Sequence, residues 1–82
     1  MAKNEKEEEV DSLVDCRGLY CPEPIFRLRE GINELSSGQV LELIADDPAA
    51  ESDVKRWAKN TGNKILKLYK DGFDLHVLIK KK

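Results

Sequence analysis

The order of apolar segments, helix signals and turn signals in the chain predicts a two-layer α/β sandwich with the element order β-α-β-α-β-β. Two segments carry apolar residues at helical spacing, four short segments have strand patterns, and an Asp-Gly pair joins the last two strands. Right-handed crossovers would place both helices on one face of a four-stranded mixed sheet. A chain of 82 residues has room for one thin core, so we expect a single domain.

The first half of the chain predicts a strand followed by a helix. Residues 13–16 form a short apolar strand, which Gly18 ends. Pro22 and Pro24 suit the first turn of a helix, where a missing backbone N–H costs nothing. The apolar stripe of this helix comprises Ile25, Leu28, Ile32 and Leu35. Residues 36–38, Ser-Ser-Gly, are expected to end it.

The third and fourth elements are a central strand and a second helix. Residues 40–44 are nearly continuous in apolar side chains, as in a strand covered on both sides. Gly62 is placed as the C-terminal cap of the following helix. One face of that helix is expected to carry Ala50, Val54, Trp57, Ala58 and Thr61, with Trp57 in the core.

The chain closes with a predicted β-hairpin. Residues 65–69 and 73–79 have strand patterns, and Asp71-Gly72 between them is a strong hairpin signal. Alternation along the last strand places Phe73, with every second residue after it, on the core side. His76 falls on the opposite side and is expected to face solvent.

Charge and hydropathy indicate where the protein is located and which classes of partner it binds. Residues 1–11 are strongly acidic and poor in apolar groups, which predicts a flexible tail ahead of a domain at residues 12–82. The domain is nearly neutral, without the concentrated basic face typical of nucleic-acid binding. The absence of a long apolar run or a secretory signal pattern favours the cytoplasm and argues against a membrane partner.

Cys21 is the candidate reactive residue. It directly precedes Pro22 at the predicted helix start, where free N–H groups and the helix dipole favour a thiolate. Arg17 and Arg27 are close enough in sequence to add positive charge, whereas Glu23 would oppose ionisation slightly. The alternative is a cysteine that serves only packing, the ordinary state of a cytosolic thiol.

Cys16, the second cysteine, is expected to be an inert core residue of the first strand. It is also a candidate to resolve a Cys21 persulfide into a disulfide, which requires the two Cα atoms to approach within about 7 Å. The C-x4-C spacing and the single histidine do not match a zinc site, so we expect no metal.

Residues 15–24, with the sequence Asp-Cys-Arg-Gly-Leu-Tyr-Cys-Pro-Glu-Pro, resemble the Cys-Pro-x-Pro motif of the TusA/SirA-like family of small sulfur carriers. The similarity continues at residues 37–38, 45–49 and 61–63 and in the closing hairpin. It extends from Leu13 to Lys80 and leaves out only the acidic tail.

The resemblance implies a βαβαββ sandwich in which Cys21 carries sulfur as a persulfide. The donor would be a cysteine desulfurase or a rhodanese-type protein, and an acceptor protein would receive the sulfur for tRNA thiolation, molybdenum-cofactor synthesis or sulfur oxidation. Such carriers use no metal and no organic cofactor. The chain would then be a sulfurtransferase-type carrier that acts only with partner enzymes, which leaves open whether it is an enzyme by itself.

The remaining candidate site residues have two groups of roles. Partner binding or charge stabilisation is assigned to Arg17, Arg27, Asp46 and Asp47, and a structural role in the motif to Asp15, Gly18, Pro22, Glu23, Pro24 and Pro48. Solvated surface charge is the alternative for both arginines. For one of the two aspartates we favour capping of the second helix, with Pro48 in a helix-initiating position.

Other functions remain as alternatives. A regulatory or protein-interaction module of the same fold would not need the thiol of Cys21. RNA binding is suggested by similarity of the predicted sandwich to the C-terminal domain of bacterial translation initiation factor three, but the neutral domain and scarce aromatic residues argue against it. A thiol protease is the weakest alternative, since no histidine lies near Cys21 in sequence.

Overall fold

The computed structural model describes residues 10–20 and 23–82, and it confirms the predicted fold class. The elements are β1 (Ser12–Cys16), α1 (Glu23–Asn33), β2 (Val40–Ala45), α2 (Ala50–Thr61), β3 (Lys64–Asp71) and β4 (Asp74–Lys80). The four strands form one sheet in the order β1-β2-β4-β3. β1 is parallel to β2, while β4 is antiparallel to β2 and β3, so the sheet is mixed.

The core lies between the two helices and one face of the sheet. From β2 and β4 the core receives Leu41, Leu43, Ala45, Leu75, Val77 and Ile79, and from the helices Leu28, Ile32, Ala50 and Val54. Trp57 is partly buried and packs against this cluster, as the pattern of α2 predicts. Thr61, expected on the same face, is exposed, and its hydroxyl group donates to the carbonyl of Trp57 (2.8 Å). The apolar stripe of α2 therefore ends one turn earlier than predicted.

Three connections meet at one end of the sheet. Cys16 and Ala45, the last residues of β1 and β2, lie side by side, and Ala45 also pairs with Leu75 near the start of β4. The chain after β1, the chain after β2 and the β3–β4 turn therefore emerge together. We call the described parts of these connections, residues 17–20, 46–49 and 71–74, the loop end.

The hairpin turn lies one residue later than the sequence suggests. Asp71 pairs with Asp74, so the two turn residues are Gly72 and Phe73. Gly72 has φ +66° and Phe73 does not have a positive φ, as in the type II′ turns that take glycine first. The prediction that Phe73 faces the core is therefore wrong: its side chain is 92% exposed.

The first helix ends earlier than its apolar stripe. α1 finishes at Asn33, and the next two residues, Glu34 and Leu35, donate backbone hydrogen bonds to Gly31 and Ile32 (3.2 and 3.0 Å). These i to i−3 bonds tighten the chain beyond the α-helix. Leu35 consequently still packs on the core from outside the helix.

His76 lies on the sheet face that carries no helices, but the expectation that it faces solvent is wrong. Its side chain is only 16% exposed. The imidazole Nδ1 is 2.9 Å from Glu42 Oε2, and the ring stacks on Tyr69 with a centroid distance of 4.7 Å. The neighbouring strands on both sides thus cover this position, an effect that alternation along one strand does not reveal.

The start of the described chain is already attached to the sheet. The N–H of Asp11 donates to the carbonyl of Val40 (2.8 Å), and the Asp11 carboxylate accepts the N–H of Val40 (2.9 Å). Asp11, which we expected in the flexible tail, is therefore fixed to β2. Residues 1–9 of that tail lie outside the described residues. Among the helices that are described, none is long and apolar enough to span a membrane.

Candidate functional site

The proposed reactive residue, Cys21, and its neighbour Pro22 lie outside the described residues, whereas the chain on both sides is described. The N–H of Glu23 donates to the carbonyl of Tyr20 (2.9 Å). α1 begins at Glu23, and Pro24 in its first turn is fully buried. Tyr20 and Glu23, the nearest described residues on either side, are thus bonded to each other at the start of the helix.

The turn after β1 is tied to the loop after β2. The N–H of Leu19 donates to the carbonyl of Cys16 (3.1 Å), and Gly18 within this turn has φ +85°, a conformation that favours glycine. The N–H of Gly18 donates to Asp46 Oδ1 (3.0 Å). Asp46 therefore joins the segment that leads to Cys21 to the segment that leads to α2.

Asp15 holds Arg17 in a two-point ion pair. The guanidinium Nε and Nη2 atoms donate to Asp15 Oδ1 and Oδ2 (3.0 and 2.7 Å), and the backbone N–H of Arg17 also donates to Oδ1 (3.1 Å). These bonds lower the pKa of Asp15 to about 2 and raise that of Arg17. Arg17 Nη1 lies 3.6 Å from Asp74 Oδ2, which links the same side chain to the hairpin. The positive charge of Arg17 is thus offset by two carboxylates.

Arg27 is less constrained. Its Nε atom is 3.8 Å from Glu23 Oε1, one helical turn earlier, and both side chains are exposed. Exposed pairs at this spacing contribute only about 0.3–0.5 kcal/mol. Of the two candidate arginines, Arg27 therefore has the weaker ion-pair contacts.

Asp47 and Pro48 shape the approach to α2. Asp47 Oδ1 accepts the N–H of Ala49 (3.1 Å), and the Asp47 carbonyl accepts the N–H of Ala50 (2.9 Å). At the residue before the helix, Ala49, no side chain caps the first turn. The predicted aspartate cap is therefore wrong for the first turn of α2 itself: Asp47 organises the turn just before it, and Asp46 bonds to Gly18. The predicted glycine cap at the other end is confirmed, since Gly62 has φ +81° and donates to the carbonyl of Ala58 (2.9 Å).

Cys16 is fully buried among core residues, as expected for an inert strand cysteine. Burial is the main cause that raises the pKa of its thiol, and the charge of Arg27 opposes the rise. A buried thiol with a raised pKa is a poor nucleophile. Among the described residues, no three His, Cys, Asp or Glu side chains are grouped as a metal site would need.

The exposed aromatic residues of the loop end were not predicted from the sequence. Tyr20, directly before Cys21, is 68% exposed, and Phe73 is the most exposed large apolar side chain of the described chain. A hollow of about 260 Å³ lies between the hairpin and the loop after β2 and is lined in part by Phe73, Leu75 and Pro48. The available signal was Gly72: glycine at the first position of a two-residue turn would have placed Phe73 in the turn.

Comparisons with known proteins converge on one family. Residues 12–81 match the family model described as Sulfurtransferase TusA. A putative sulfur carrier protein of Archaeoglobus fulgidus is 49% identical over 57 residues, which cover 70% of this chain and 74% of that protein. The sulfur carrier protein TusA of Allochromatium vinosum is 44% identical over 73 residues, with coverage of 89% and 96%.

A solved structure supports the fold independently. The SirA-like protein from Desulfitobacterium hafniense superimposes with a TM-score of 0.75 at 24% identity. The match covers 84% of this chain and 95% of that one. At this identity the likeness establishes the shared fold.

Proposed function

Because the chain belongs to the TusA family, we propose that it is a sulfur carrier, which holds sulfur as a persulfide on Cys21 and passes it to a partner protein. The family match over residues 12–81 carries the proposal, since relatives of nearly the same length are named as sulfur carriers. The resemblance of the Cys-Pro-x-Pro motif assigns the sulfur to Cys21, two residues before the start of α1.

The proposed reaction is an exchange between a thiolate and a persulfide. The Cys21 thiolate attacks the outer sulfur of a donor cysteine persulfide, the donor S–S bond breaks, and the donor leaves as a thiolate. The persulfide proton stays on the transferred sulfur, so Cys21–S–SH forms without net oxidation or reduction. An acceptor thiolate then attacks the outer sulfur, and Cys21 is released as the thiolate.

The surroundings support this chemistry in two ways. A helix N-terminus favours negative charge, so the start of α1 would lower the free energy of a nearby thiolate. The hydrogen bonds at Gly18 and Glu23 fix the chain on both sides of Cys21 and Pro22. A carrier needs little more than a presented sulfur, because its partner supplies the rest of the active site.

The two arginines take different roles in the proposal. Arg17, which bonds to Asp15 and lies near Asp74, is a positioning residue that joins the turn after β1 to the hairpin. Arg27, which lies 3.8 Å from Glu23, is the candidate for stabilising charge during sulfur transfer.

The partners in this proposal are a cysteine desulfurase or rhodanese-type donor and a downstream acceptor protein, in the cytoplasm. The acceptor pathway is one of tRNA thiolation, molybdenum-cofactor synthesis or sulfur oxidation. The carrier is not expected to bind nucleic acid itself, since its charge is nearly balanced overall.

Intact-mass spectrometry tests the proposal. The wild type is incubated with a cysteine desulfurase and cysteine, or with glutathione persulfide, and is compared with Cys21→Ser and with Cys16→Ala as the matched control. We expect a gain of one sulfur atom that a reducing agent removes, absent from Cys21→Ser and retained in Cys16→Ala, because the Cys16 thiol is buried. A wild type that gains no sulfur from either donor would favour the interaction-module alternative.

A further inference from the structure

The side chain of Phe73 does not contribute to the folded core. It occupies the turn of the β3–β4 hairpin and is 92% exposed, with no part in the core cluster. The two turn residues are Gly72 and Phe73, and Gly72 supplies the required positive φ. A large aromatic side chain in water is a cost that a polar residue would avoid, and such side chains are enriched at the centres of protein interfaces.

The hairpin tip is continuous with the segment that leads to Cys21. Asp74, next to Phe73, lies 3.6 Å from Arg17 through Oδ2 and Nη1. Tyr20, the last described residue before Cys21, is a second exposed aromatic side chain in the same set of connections. Because Cys21 directly follows Tyr20 in the sequence, we expect a protein that reaches its sulfur to approach this end of the molecule.

The surface around Phe73 is acidic. Carboxylates line the hollow beside it or flank the hairpin turn, namely Asp46, Asp47, Glu51, Asp71 and Asp74. Lys70 is the one cation among the described residues that line the hollow. Nearby, Arg17 is paired with Asp15, and Lys55 lies 3.0 Å from Glu51. Among the described residues, the opposite end of the sheet carries four lysines, Lys64, Lys80, Lys81 and Lys82, together with Asp11.

We propose that the sulfur-donor protein docks on Phe73, on the hollow beside it and on the five carboxylates around them, which we call the acidic rim. The donor would present an apolar recess bordered by basic side chains. The inference rests on the proposed function, because it assigns a partner to the end of the molecule at which Tyr20, the residue before Cys21, lies. Phe73 supplies the apolar anchor, and the rim selects a partner of opposite charge. Docking of this kind changes the rate of transfer from a protein donor and leaves transfer from a small persulfide unchanged.

The test compares two sulfur donors on the same set of variants. Persulfide formation on the full chain is followed by mass spectrometry with a persulfide-charged cysteine desulfurase and, separately, with glutathione persulfide. We expect Phe73→Ser to slow transfer from the desulfurase by about tenfold or more, the size of effect typical of an interface anchor. Phe73→Trp, which keeps an aromatic anchor, should retain most of the rate.

Val10→Ser is the matched control, because Val10 is also exposed but lies by the start of β2, away from the loop end. It should transfer sulfur at the wild-type rate from both donors. All variants should take up sulfur from glutathione persulfide equally, since Phe73 has no part in the chemical step.

Three outcomes would overturn the docking proposal. One is an unchanged desulfurase rate in Phe73→Ser, and another is an equal loss of rate with both donors. The third is a concentration-dependent dimer of the wild type that Phe73→Ser abolishes, which would assign the surface to a second copy of the chain. If the wild type took up no sulfur even from glutathione persulfide, the proposed function itself would fail.

Discussion

At the scale of single residues, the ion pair between Asp15 and Arg17 makes stability depend on pH. The pKa of Asp15 is lowered to about 2 from 3.8, mainly by hydrogen bonds from Arg17. The folded chain therefore binds this proton less tightly than the unfolded chain does. The stabilising contribution is present above about pH 4 and is lost as the pH falls towards 2.

We expect Asp15→Asn to have a lower free energy of unfolding than the wild type at neutral pH. This difference between the two proteins should disappear as the pH falls from 4 to 2. Urea titrations of both proteins across this range measure it, with Glu34→Gln as a control for an exposed carboxylate outside the loop end. A difference that stays constant from pH 7 to pH 2 would show that Asp15 does not act through its charge.

Most contacts between the candidate site residues could not be predicted from the sequence. Asp15 and Arg17 are two residues apart at a strand end, a spacing that puts both side chains on one face. Their pairing could therefore have been predicted from the sequence. The bond from Gly18 to Asp46 joins residues 28 positions apart. It follows only once β1 and β2 are known to be parallel neighbours, because their last residues then lie together. The partial burial of His76 had the same requirement, since it depends on the registers of β2 and β3 with β4.

At the scale of elements, α1 packs unusually close to the sheet at Gly31. A Cβ atom at this position would lie 2.6 Å from Leu41 Cδ1 and 3.0 Å from Val14 Cγ2. Leu41 is fully buried, so it has little room to move. An added Cβ atom would therefore force Leu41 to shift, in a helix interior where glycine otherwise costs about 1 kcal/mol relative to alanine.

We expect Gly31→Ala to lower the free energy of unfolding by about 1 kcal/mol, because overpacking at about 1–3 kcal/mol outweighs the gain in helix propensity. Chemical denaturation measures the change. Combining it with Leu41→Val should cost less than the sum of the two single changes, since the smaller side chain makes room. Asn33→Ala, at an exposed position of the same helix, should not destabilise the protein. Stabilisation by Gly31→Ala would contradict this account of the packing.

Element order and type were predictable because the apolar periodicities are clear, whereas element ends were not. Leu35 continues the apolar stripe of α1 but lies beyond the helix, since tighter backbone bonds replace the last α-helical turn. Phe73 continues the alternation of β4 but lies in the turn, because the conformation of Gly72 decides the register. In both cases a local backbone geometry overrides a side-chain pattern.

At the scale of the whole molecule, charge is distributed unevenly although the net charge is only −2. Among the described residues, acidic side chains gather at the loop end, and four lysines lie with Asp11 at the other end of the sheet. Such a distribution orients the molecule as it approaches a charged partner. Steering of this kind weakens with salt, since the screening length falls from about 10 Å at 0.1 M to about 3 Å at 1 M.

We expect sulfur transfer from a cysteine desulfurase to slow as the salt concentration rises, and Asp71→Asn to reduce this dependence. Stopped-flow or quenched mass-spectrometric rates at several ionic strengths measure both effects. Glu34→Gln removes the same charge near the opposite end of α1 and should leave the salt dependence unchanged. Equal salt dependence in the wild type and Asp71→Asn would exclude a role for the rim in attraction.

The strand order also determines how molecules of this protein meet one another. Among the described strands, β3 and β1 lie at the two edges of the sheet. β3 carries Lys64, Lys67 and Lys70, all exposed, and β1 is only five residues long. Lysines and short strands at an edge oppose the addition of a strand from another molecule. We therefore expect the protein to resist aggregation when it is concentrated, and other proteins to bind it through side chains rather than by extending its sheet.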